Sequence, residues 1–449
     1  MKKFLFPTLI LSLVIALGFV YKKYETRKTQ PPSMKERAVN ASASSEWLNS
    51  KKAIEGLLDK IRRNPEDNKA KLQLAMAYIQ ESRVTGDHAY YDEASLKLLN
   101  EVLEKDPKNF DALCGKTTVL LSQHHFTEGL AAAQNLVAQY PDAAFGYGLL
   151  VDAYVELGNY TEAVKFADKL ISIRPDLRSY SRISYLREIH GDYVGAKEAM
   201  NLAVKSGSIG LEQTEWCRVQ LGKLYEVTGD LEQATKHYQM AVAARENYPF
   251  AQAGLARVAR KKGQNTATAG SPDYFGEGVT LLENANKSII EPSFYEDLSD
   301  IYFVQNQRGK ANEAAKKLID MLGGNHSDTT NHASDKAIPQ HGHYADKELA
   351  EAYLKIDDLE HAQIHANLEY ARRPENIDIN EVMAWVQYKS GAFDKAIPYI
   401  EKALKTGRQK PELLWKAGQI YLKNNQEKRG NELIKLALNI NKNLETSLI

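Results

Sequence analysis

Small residues recur along the chain at intervals close to 34 residues, each within an apolar pattern of helical period. Seven of the nine intervals differ from 34 by four residues or fewer, and the two longer ones contain insertions rich in Gly, Ser or His. A large apolar or aromatic residue usually lies nine positions earlier, a turn falls between the two, and Pro often closes the unit. The pattern predicts two helices per unit that pack closely at the small residue. The small residues are Ala94, Gly129, Ala163, Ala196, Ala234, Gly278, Ala311, Ala362, Ala396 and Gly430.

One unit shows this spacing with few departures. It reads Tyr147, Leu150, Val151 and Tyr154 before the turn, and Ala163, Ala167, Leu170 and Pro175 after it. The spacing resembles that of the tetratricopeptide repeat family, and the resemblance extends over about residues 51–445. It implies an all-α solenoid of about ten helix-turn-helix repeats, whose first helices line a concave groove that binds a peptide or helix of a partner protein.

The repeats divide the rest of the chain. We expect an N-terminal array over 51–262, a loop insertion over 263–277, degenerate units over 278–322, a His-rich loop over 323–343 and a C-terminal array over 344–449. A single helix from Ala53 should cap the start of the array. At the other end, no capping helix follows the apolar face of Leu433, Leu436 and Ile440. Either a partner or a second copy covers this face, or the chain folds back over it.

An uncharged apolar run precedes the repeats. Phe4 to Tyr21 is flanked by lysine pairs on both sides, and its length of about 27 Å as a helix just spans a bilayer core. It predicts a transmembrane signal-anchor over 1–24 and a flexible basic linker over 25–50. A cleaved signal peptide is the alternative. The lysine-led start favours a bacterial inner membrane protein with its body in the periplasm.

The amino-acid composition and the motifs that are absent disfavour several classes of function. Lys plus Arg and Asp plus Glu both number 58, which disfavours nucleic acid as a partner. Two cysteines allow neither a disulfide framework nor a four-thiolate zinc site. Common hydrolase, nucleotide and calcium motifs are absent from the sequence, and the repeats leave no room for a catalytic domain, so we expect no enzyme activity and no cofactor. A His-rich loop could hold a metal, although a solvated loop is the simpler interpretation; its histidines are His326, His332, His341 and His343.

The family resemblance also implies which side chains line the groove. A basic and aromatic stretch would suit an acidic peptide or a carboxylate terminus, and aromatic residues further along would bury large area against a partner. The alternatives are a solvated face and packing between neighbouring units. The first group is Arg178, Arg182, Tyr185, Trp216, Lys223, Arg257, Arg260 and Lys261, and the second is Glu381, Trp385, Tyr388, Glu412 and Trp415.

Overall fold

Helices account for almost all of the structure. The computed structural model describes residues 31–37, 45–265, 272–323 and 344–449, and these residues contain 21 α-helices and no strand. The predicted all-α solenoid is therefore confirmed. No helix within the described ranges is both long and apolar enough to span a membrane. The predicted anchor at Phe4–Tyr21 lies outside those ranges.

The first helix stands alone and the others form ten pairs, here called units 1 to 10. The helices are α1 (Ser45–Arg63), α2 (Asn68–Thr85), α3 (His88–Lys105), α4 (Phe110–Ser122), α5 (Phe126–Gln139), α6 (Ala144–Glu156), α7 (Tyr160–Ile173), α8 (Leu177–Ile189), α9 (Tyr193–Ser206), α10 (Glu212–Val227), α11 (Leu231–Ala244), α12 (Pro249–Asn265), α13 (Tyr274–Asn286), α14 (Ser293–Val304), α15 (Arg308–Met321), α16 (Asp346–Lys355), α17 (Leu359–Arg372), α18 (Ile377–Lys389), α19 (Phe393–Ala403), α20 (Pro411–Lys423) and α21 (Glu427–Ile440). Unit 1 is α2 with α3, and unit 10 is α20 with α21.

Each recurring small residue lies in the second helix of its unit, where the two helices meet. Ala163, Ala196 and Ala234 are completely buried. At Gly129 a methyl group would require the Leu121 side chain to move, because a Cβ atom would lie 2.5 Å from Cδ2 of Leu121 on the first helix of the unit. The small residue therefore sets how closely the helices of a pair approach each other.

In nine of the ten units the turn contains a residue of positive φ, and the turn of unit 6 lies partly outside the described residues. Gly158, Gly191 and Gly229 have φ values of 79, 81 and 81°, and Asn or Asp follows each of them. That next side chain caps the second helix, as Asn159 does by accepting from the backbone N–H of Glu162 at 3.3 Å. Glycine provides the left-handed conformation and the following residue provides the cap, which explains the Gly-Asn and Gly-Asp pairs in the sequence.

The array coils until its second half lies against its first. The turn of each of units 1 to 5 contacts the connection after the unit five places further on. We call this line of contacts the seam. The hydrogen bonds along it are Ile290 N to Thr85 O at 2.9 Å, Tyr344 N to Gln123 O at 3.2 Å, Asn376 Nδ2 to Glu156 O at 2.9 Å, Thr406 Oγ1 to Ile189 O at 2.5 Å and Asn441 Nδ2 to Glu226 O at 3.4 Å.

The segments at both ends of the array are also docked. Within the predicted linker, residues 31–37 lie extended along unit 1, where Met34 packs on its core and Arg37 forms a buried ion pair with Glu81. We call residues 31–37 the strap. After α21, residues 441–449 fold back, form a short 3-10 helix at Thr446–Leu448 and contact α14. Of the apolar residues at this end, Leu436 is 38% exposed, and Leu433 packs at the edge of a core cluster.

Candidate partner-binding surface

Three basic residues of the predicted groove are engaged in internal ion pairs. Nε of Arg257 lies 3.2 Å from Oε2 of Glu226 on α10, and its Nη1 lies 3.1 Å from Oδ2 of Asp297 on α14. Nζ of Lys261 donates to Glu226 at 2.8 Å. The third, Arg260, contacts Asp300 of α14 through Nη1 at 3.0 Å. The positive charge predicted here from α12 alone is thus offset by carboxylates from neighbouring helices.

Glu226 lies at the centre of this ion-pair network. Its burial by itself raises the pKa of the carboxyl group, but Arg257 and Lys261 outweigh burial and hold the pKa well below its usual range. The carboxylate also accepts a hydrogen bond from the hydroxyl of Tyr238 at 2.7 Å. A buried carboxylate with this many donors remains charged and fixes α10, α11 and α12 relative to one another.

The aromatic residues of units 9 and 10 pack mainly on each other. Trp385 is only 5% exposed, and its ring stacks on Tyr388 with the centroids 4.6 Å apart and on Trp415 edge-to-face at 6.2 Å. Beside them, Glu381 is held by Lys410 and Lys416 at 3.2 and 2.8 Å. Trp385 therefore lies in the core between neighbouring units, while Tyr388 and Trp415 are half-buried at the edge of that cluster.

Arg178, by contrast, makes no ion pair with any described residue. It is exposed at the start of α8, and its guanidinium carbon lies 5.2 Å from the centre of the Phe145 ring. Arg174, in the connection before α8, is exposed and makes no ion pair with the described residues either. Together with Gly148, Asp176 and Arg182 these residues line a small pocket. We call it the arginine pocket.

Arg182 lines the arginine pocket, and hydrogen bonds fix its guanidinium group. Its Nε and Nη2 donate to the two oxygens of Asp152 at 2.8 and 2.5 Å, and Nε also contacts the carbonyl oxygen of Gly148 at 3.1 Å. A Cβ atom at Gly148 would lie 3.2 Å from Cζ of Arg182, so glycine leaves room for the guanidinium. Asp152 neutralises Arg182 and leaves Arg178 as the cation facing outward.

The charge around Arg178 is incompletely balanced. Partial burial, followed by the positive charge of Arg182, lowers the pKa of Arg178; the negative charge of Asp176 opposes this change, and Arg83 and Arg174 lower the pKa further. Repulsion between neighbouring cations favours the arrival of an anion. The pocket can therefore accept a carboxylate or phosphate group, with the Phe145 ring beside the guanidinium of Arg178.

A family comparison supports the repeat assignment at this part of the chain. The family model described as tetratricopeptide repeat matches residues 117–177, from the second half of α4 to the start of α8. Residues 117–177 therefore carry the tetratricopeptide repeat pattern. The matched range includes Phe145, Gly148 and Arg174 of the arginine pocket. No curated protein matches the sequence.

Several solved structures are similar in fold to this chain. TTC0263 of Thermus thermophilus shares 20% identity, with a TM-score of 0.38, over 42% of this chain and 98% of its own. The human IFIT1 dimer with PPP-AAAA shares 14%, with a TM-score of 0.48, over 81% of this chain and 80% of its own. PilW, a type IV pilus biogenesis factor, shares 12%, with a TM-score of 0.38, over 47% of this chain and 92% of its own. None of these likenesses says what this chain binds.

The remaining predicted groove residues of this repeat protein differ in exposure. Tyr185 lies near Asp378 and Arg408, and burial together with the negative charge of Asp378 raises its pKa well above the usual range. Trp216 is half-buried against the core cluster of α9 and α10. Lys223 is exposed and makes no ion pair within the described part of the chain. Of these three residues, only Lys223 is an exposed charged side chain without an ion pair to another described residue.

Most members of the arginine pocket were missed in the sequence, namely Phe145, Gly148, Arg174 and Asp176, and only Arg178 and Arg182 were predicted. Phe145 lies on the first helix of unit 3, at a groove position that the family resemblance implies but that the predicted set did not include, and Arg174 lies in a connection rather than on a helix. A sequence signal did exist, because Arg174, Arg178 and Arg182 follow a spacing of four. That spacing places successive side chains on one side when the chain is helical, and here the row begins just before α8.

Of the other candidate functional residues, the two cysteines lie within the described ranges and the histidines of the His-rich loop do not. Cys114 and Cys217 are buried free thiols, and burial raises the pKa of each to about 12, so neither is a reactive thiolate. Among the described residues no group of three or more His, Cys, Asp or Glu side chains could hold a metal. The His-rich loop with His326, His332, His341 and His343 lies outside the described ranges.

Proposed function

We propose that this chain is a membrane-anchored scaffold that binds an acidic segment of a partner protein in the arginine pocket. One observation carries the proposal: Arg174 and Arg178 make no ion pair with another described residue, while Arg182, Arg257, Arg260 and Lys261 all do. Cations that the fold leaves without a counterion are available to a ligand. The role is binding rather than catalysis.

Pull-down after crosslinking tests this role. Full-length protein in membranes would be compared with Arg174→Ala/Arg178→Ala, and with Lys428→Ala/Lys435→Ala as a control. The control removes two exposed lysines of α21 that make no ion pair with another described residue. We expect the arginine variant to lose one partner that the wild type and the control retain, and circular dichroism should show that all three proteins are folded. Retention of every partner by the arginine variant would refute the proposed site.

The membrane anchor is the part of the proposal that rests on sequence alone. The uncharged run Phe4–Tyr21 between two lysine pairs supports an inner-membrane location with the repeats in the periplasm. The partner would then take part in assembly, secretion or envelope biogenesis. Protease added outside spheroplasts should digest the repeat domain but leave a cytoplasmic control protein intact. Protection of the repeats in intact spheroplasts would contradict this orientation.

Self-association is a second candidate, favoured by one observation. Leu436 and Leu438 on α21 are 38% and 41% exposed, more than most large apolar side chains of the described chain. A second copy could bury them. Leu436→Glu/Leu438→Glu should lower the mass measured by analytical ultracentrifugation if copies meet at α21. An unchanged monomeric mass in both proteins would exclude this candidate.

A further inference from the structure

The connection between units 4 and 5, residues 207–211, differs from the others in composition. The connections after units 1, 2, 3 and 8 each contain Pro followed by a charged residue, whereas this one reads Gly-Ser-Ile-Gly-Leu. Ile209 is 80% exposed, the highest value for a large apolar side chain in the described ranges, and Leu211 is 59% exposed. Single exposed apolar residues are common, but two in one short connection point to an interaction site. We call Ile209 and Leu211 the apolar tip.

The apolar tip belongs to a tight turn. The backbone N–H of Leu211 donates to the carbonyl oxygen of Ser208 at 3.3 Å, which closes a four-residue turn. Gly210, the third residue of this turn, has a φ of 83°, a conformation that favours glycine. Ile209 is the second residue and lies at the corner of the turn, which explains its high exposure.

Polar contacts fix the turn on the surface of unit 5. Glu215 of α10 accepts from the backbone N–H of Gly210 at 2.9 Å, and Nη1 of Arg245 donates to the carbonyl oxygen of the same glycine at 3.1 Å. The Glu215 side chain is completely buried and is also paired with Arg218 at 2.7 Å. The two aliphatic side chains are thus held outside the core by a rigid turn. A rigid surface loses little conformational entropy when a partner binds, and this favours an interface.

The apolar tip lies next to the arginine pocket. A Cβ atom at Gly207 would lie 2.8 Å from Cδ1 of Leu177, the residue that directly precedes Arg178 in α8. Leu177 of α8 and Trp216 of α10 pack on the same core cluster, so the two connections precede helices that lie side by side. The axes of packed helices are about 8–10 Å apart. The unpaired cations of unit 4 and the apolar tip of unit 5 therefore occupy adjoining parts of one edge.

We propose that the arginine pocket and the apolar tip form one interface, which binds a partner segment that carries both an acidic and a large apolar side chain. This inference rests on the proposed function and names the chemistry of the partner. The carboxylate would face Arg174 and Arg178, and the apolar side chain would cover Ile209 and Leu211. In an extended segment the two side chains would be about three residues apart, since each residue spans about 3.3 Å. The apolar contact distinguishes such a segment from a simple anion.

Site-specific photo-crosslinking in membranes tests whether the partner reaches the apolar tip. In the full-length protein, Ile209 is replaced by the photoreactive amino acid p-benzoylphenylalanine, and a control protein carries this amino acid at Val194. Val194 is 73% exposed at the opposite end of α9, so it is a matched control. We expect position 209, but not position 194, to crosslink the partner that Arg174→Ala/Arg178→Ala loses. Adding these two substitutions should reduce the crosslink from position 209 at least about tenfold.

Four results of the crosslinking would overturn the proposal. They are a crosslink from position 209 that the arginine substitutions leave unchanged, equal crosslinking of the partner from position 194, an adduct of position 209 with lipid alone, and no crosslink from position 209. The lipid adduct would identify the apolar tip as a contact with the bilayer instead of with a protein.

Polar substitutions measure what the apolar tip contributes. Ile209→Ser/Leu211→Ser should reduce the amount of that partner in the pull-down at least about tenfold, because two aliphatic side chains no longer become buried. Val194→Ser should leave it unchanged. Serine is a favourable residue at position 211, which is the N-cap of α10, and circular dichroism verifies that the variant is folded.

The arginine variant separates this inference from the proposed function. Full retention of the partner by Ile209→Ser/Leu211→Ser, with loss of the partner from Arg174→Ala/Arg178→Ala, would overturn the shared interface and leave the arginine pocket as the whole site. Retention of the partner by both variants would refute the proposed function as well.

Discussion

Two glycines with the same backbone conformation differ in what surrounds them. Gly158 and Gly391 have φ values of 79 and 77° in the turns of units 3 and 9. A Cβ atom at Gly158 would lie 2.2 Å from the carbonyl oxygen of Glu375 across the seam, whereas at Gly391 it would meet nothing within 4 Å. The first glycine permits both a turn and a close approach of two backbones, and the second permits only a turn.

Single substitutions of these two glycines measure how much the seam contributes to the free energy of unfolding. We expect Gly391→Ala to lower the free energy of unfolding by about 1 kcal/mol, the usual cost of placing alanine in the left-handed region. Gly158→Ala carries the same conformational cost and also forces the seam apart, so its loss should be at least about 2 kcal/mol. Urea denaturation of both variants measures the difference. Equal losses would mean that the seam is not closed at Gly158 in solution.

His237 should make stability depend on pH. Its ring stacks on Tyr225 with the centroids 5.4 Å apart, and burial, followed by the charges of Arg218 and Lys236, lowers its pKa from 6.5 to about 4. Between pH 6.5 and 4 the unfolded chain therefore binds a proton that the folded chain excludes, so stability decreases as the pH falls through this range. His237→Phe keeps the stacked ring and removes the titration. Thermal unfolding at pH 7.5 and 5.0 should show a smaller decrease for the variant; an identical decrease would contradict this assignment.

Individual residues show how far the sequence could predict the candidate site. Arg178 was predicted from the sequence as a groove residue, and its side chain is exposed. That Arg178 is unpaired while Arg260 is paired could not be predicted, because the partner of Arg260 is Glu445, which lies 185 residues further along the chain. Likewise, Trp385 is buried by Trp415 of the following unit, a contact that the sequence allowed but did not select over exposure.

At the level of elements, the strap stabilises the fold, although the sequence predicted that it belongs to a flexible linker. Arg37 and Glu81 form an ion pair whose side chains are 4% and 1% exposed. Arg37→Ala would leave the carboxylate of Glu81 buried without this partner, so we expect a loss of about 3 kcal/mol, measured by urea denaturation and by faster hydrogen exchange in α2 and α3. Lys35→Ala is the control. Its ion pair with Asp87 involves a lysine side chain that is 50% exposed, so its loss should stay below about 1 kcal/mol.

Helices with a periodic signal could be predicted, and segments without one could not. The interval near 34 residues identified the second helix of each unit, because a buried helix contact requires a small residue at a fixed place. The strap has no such period. It is bound by the hydroxyl of Tyr90, which donates to the carbonyl oxygen of Ser33 at 2.6 Å, and by the Arg37 ion pair. These are polar contacts with a neighbouring unit, and they leave no pattern in the segment itself.

At the scale of the whole molecule the main feature is the seam, which no local sequence pattern predicts. Its contacts join residues more than 200 positions apart, such as Ile290 with Thr85 and Asn376 with Glu156. They depend on small rotations between neighbouring units that accumulate until the coil meets itself. An open solenoid and a closed one can thus share the same repeat pattern.

Closure should be visible in the dimensions of the protein in solution. A Cβ atom at Gly86 would lie 1.9 Å from the carbonyl oxygen of Ile290, so Gly86→Ala/Gly158→Ala disturbs the seam at two of its contacts. We expect small-angle X-ray scattering to show a larger radius of gyration for this double variant, while circular dichroism shows that its helices are retained. Gly391→Ala should scatter as the wild type does. An unchanged radius in the double variant would indicate that the seam does not hold the two halves together.

The regular offset along the seam restricts how such a chain can evolve. Each turn meets the connection after the unit five places further on. Duplication or loss of one whole unit in the middle of the array would preserve every neighbouring helix contact, yet it would pair the turns before it with the wrong connections after it. Open repeat proteins change length freely by such events. For this chain, unit gain is tolerable only near the ends, and homologues that retain the seam should vary in unit number there.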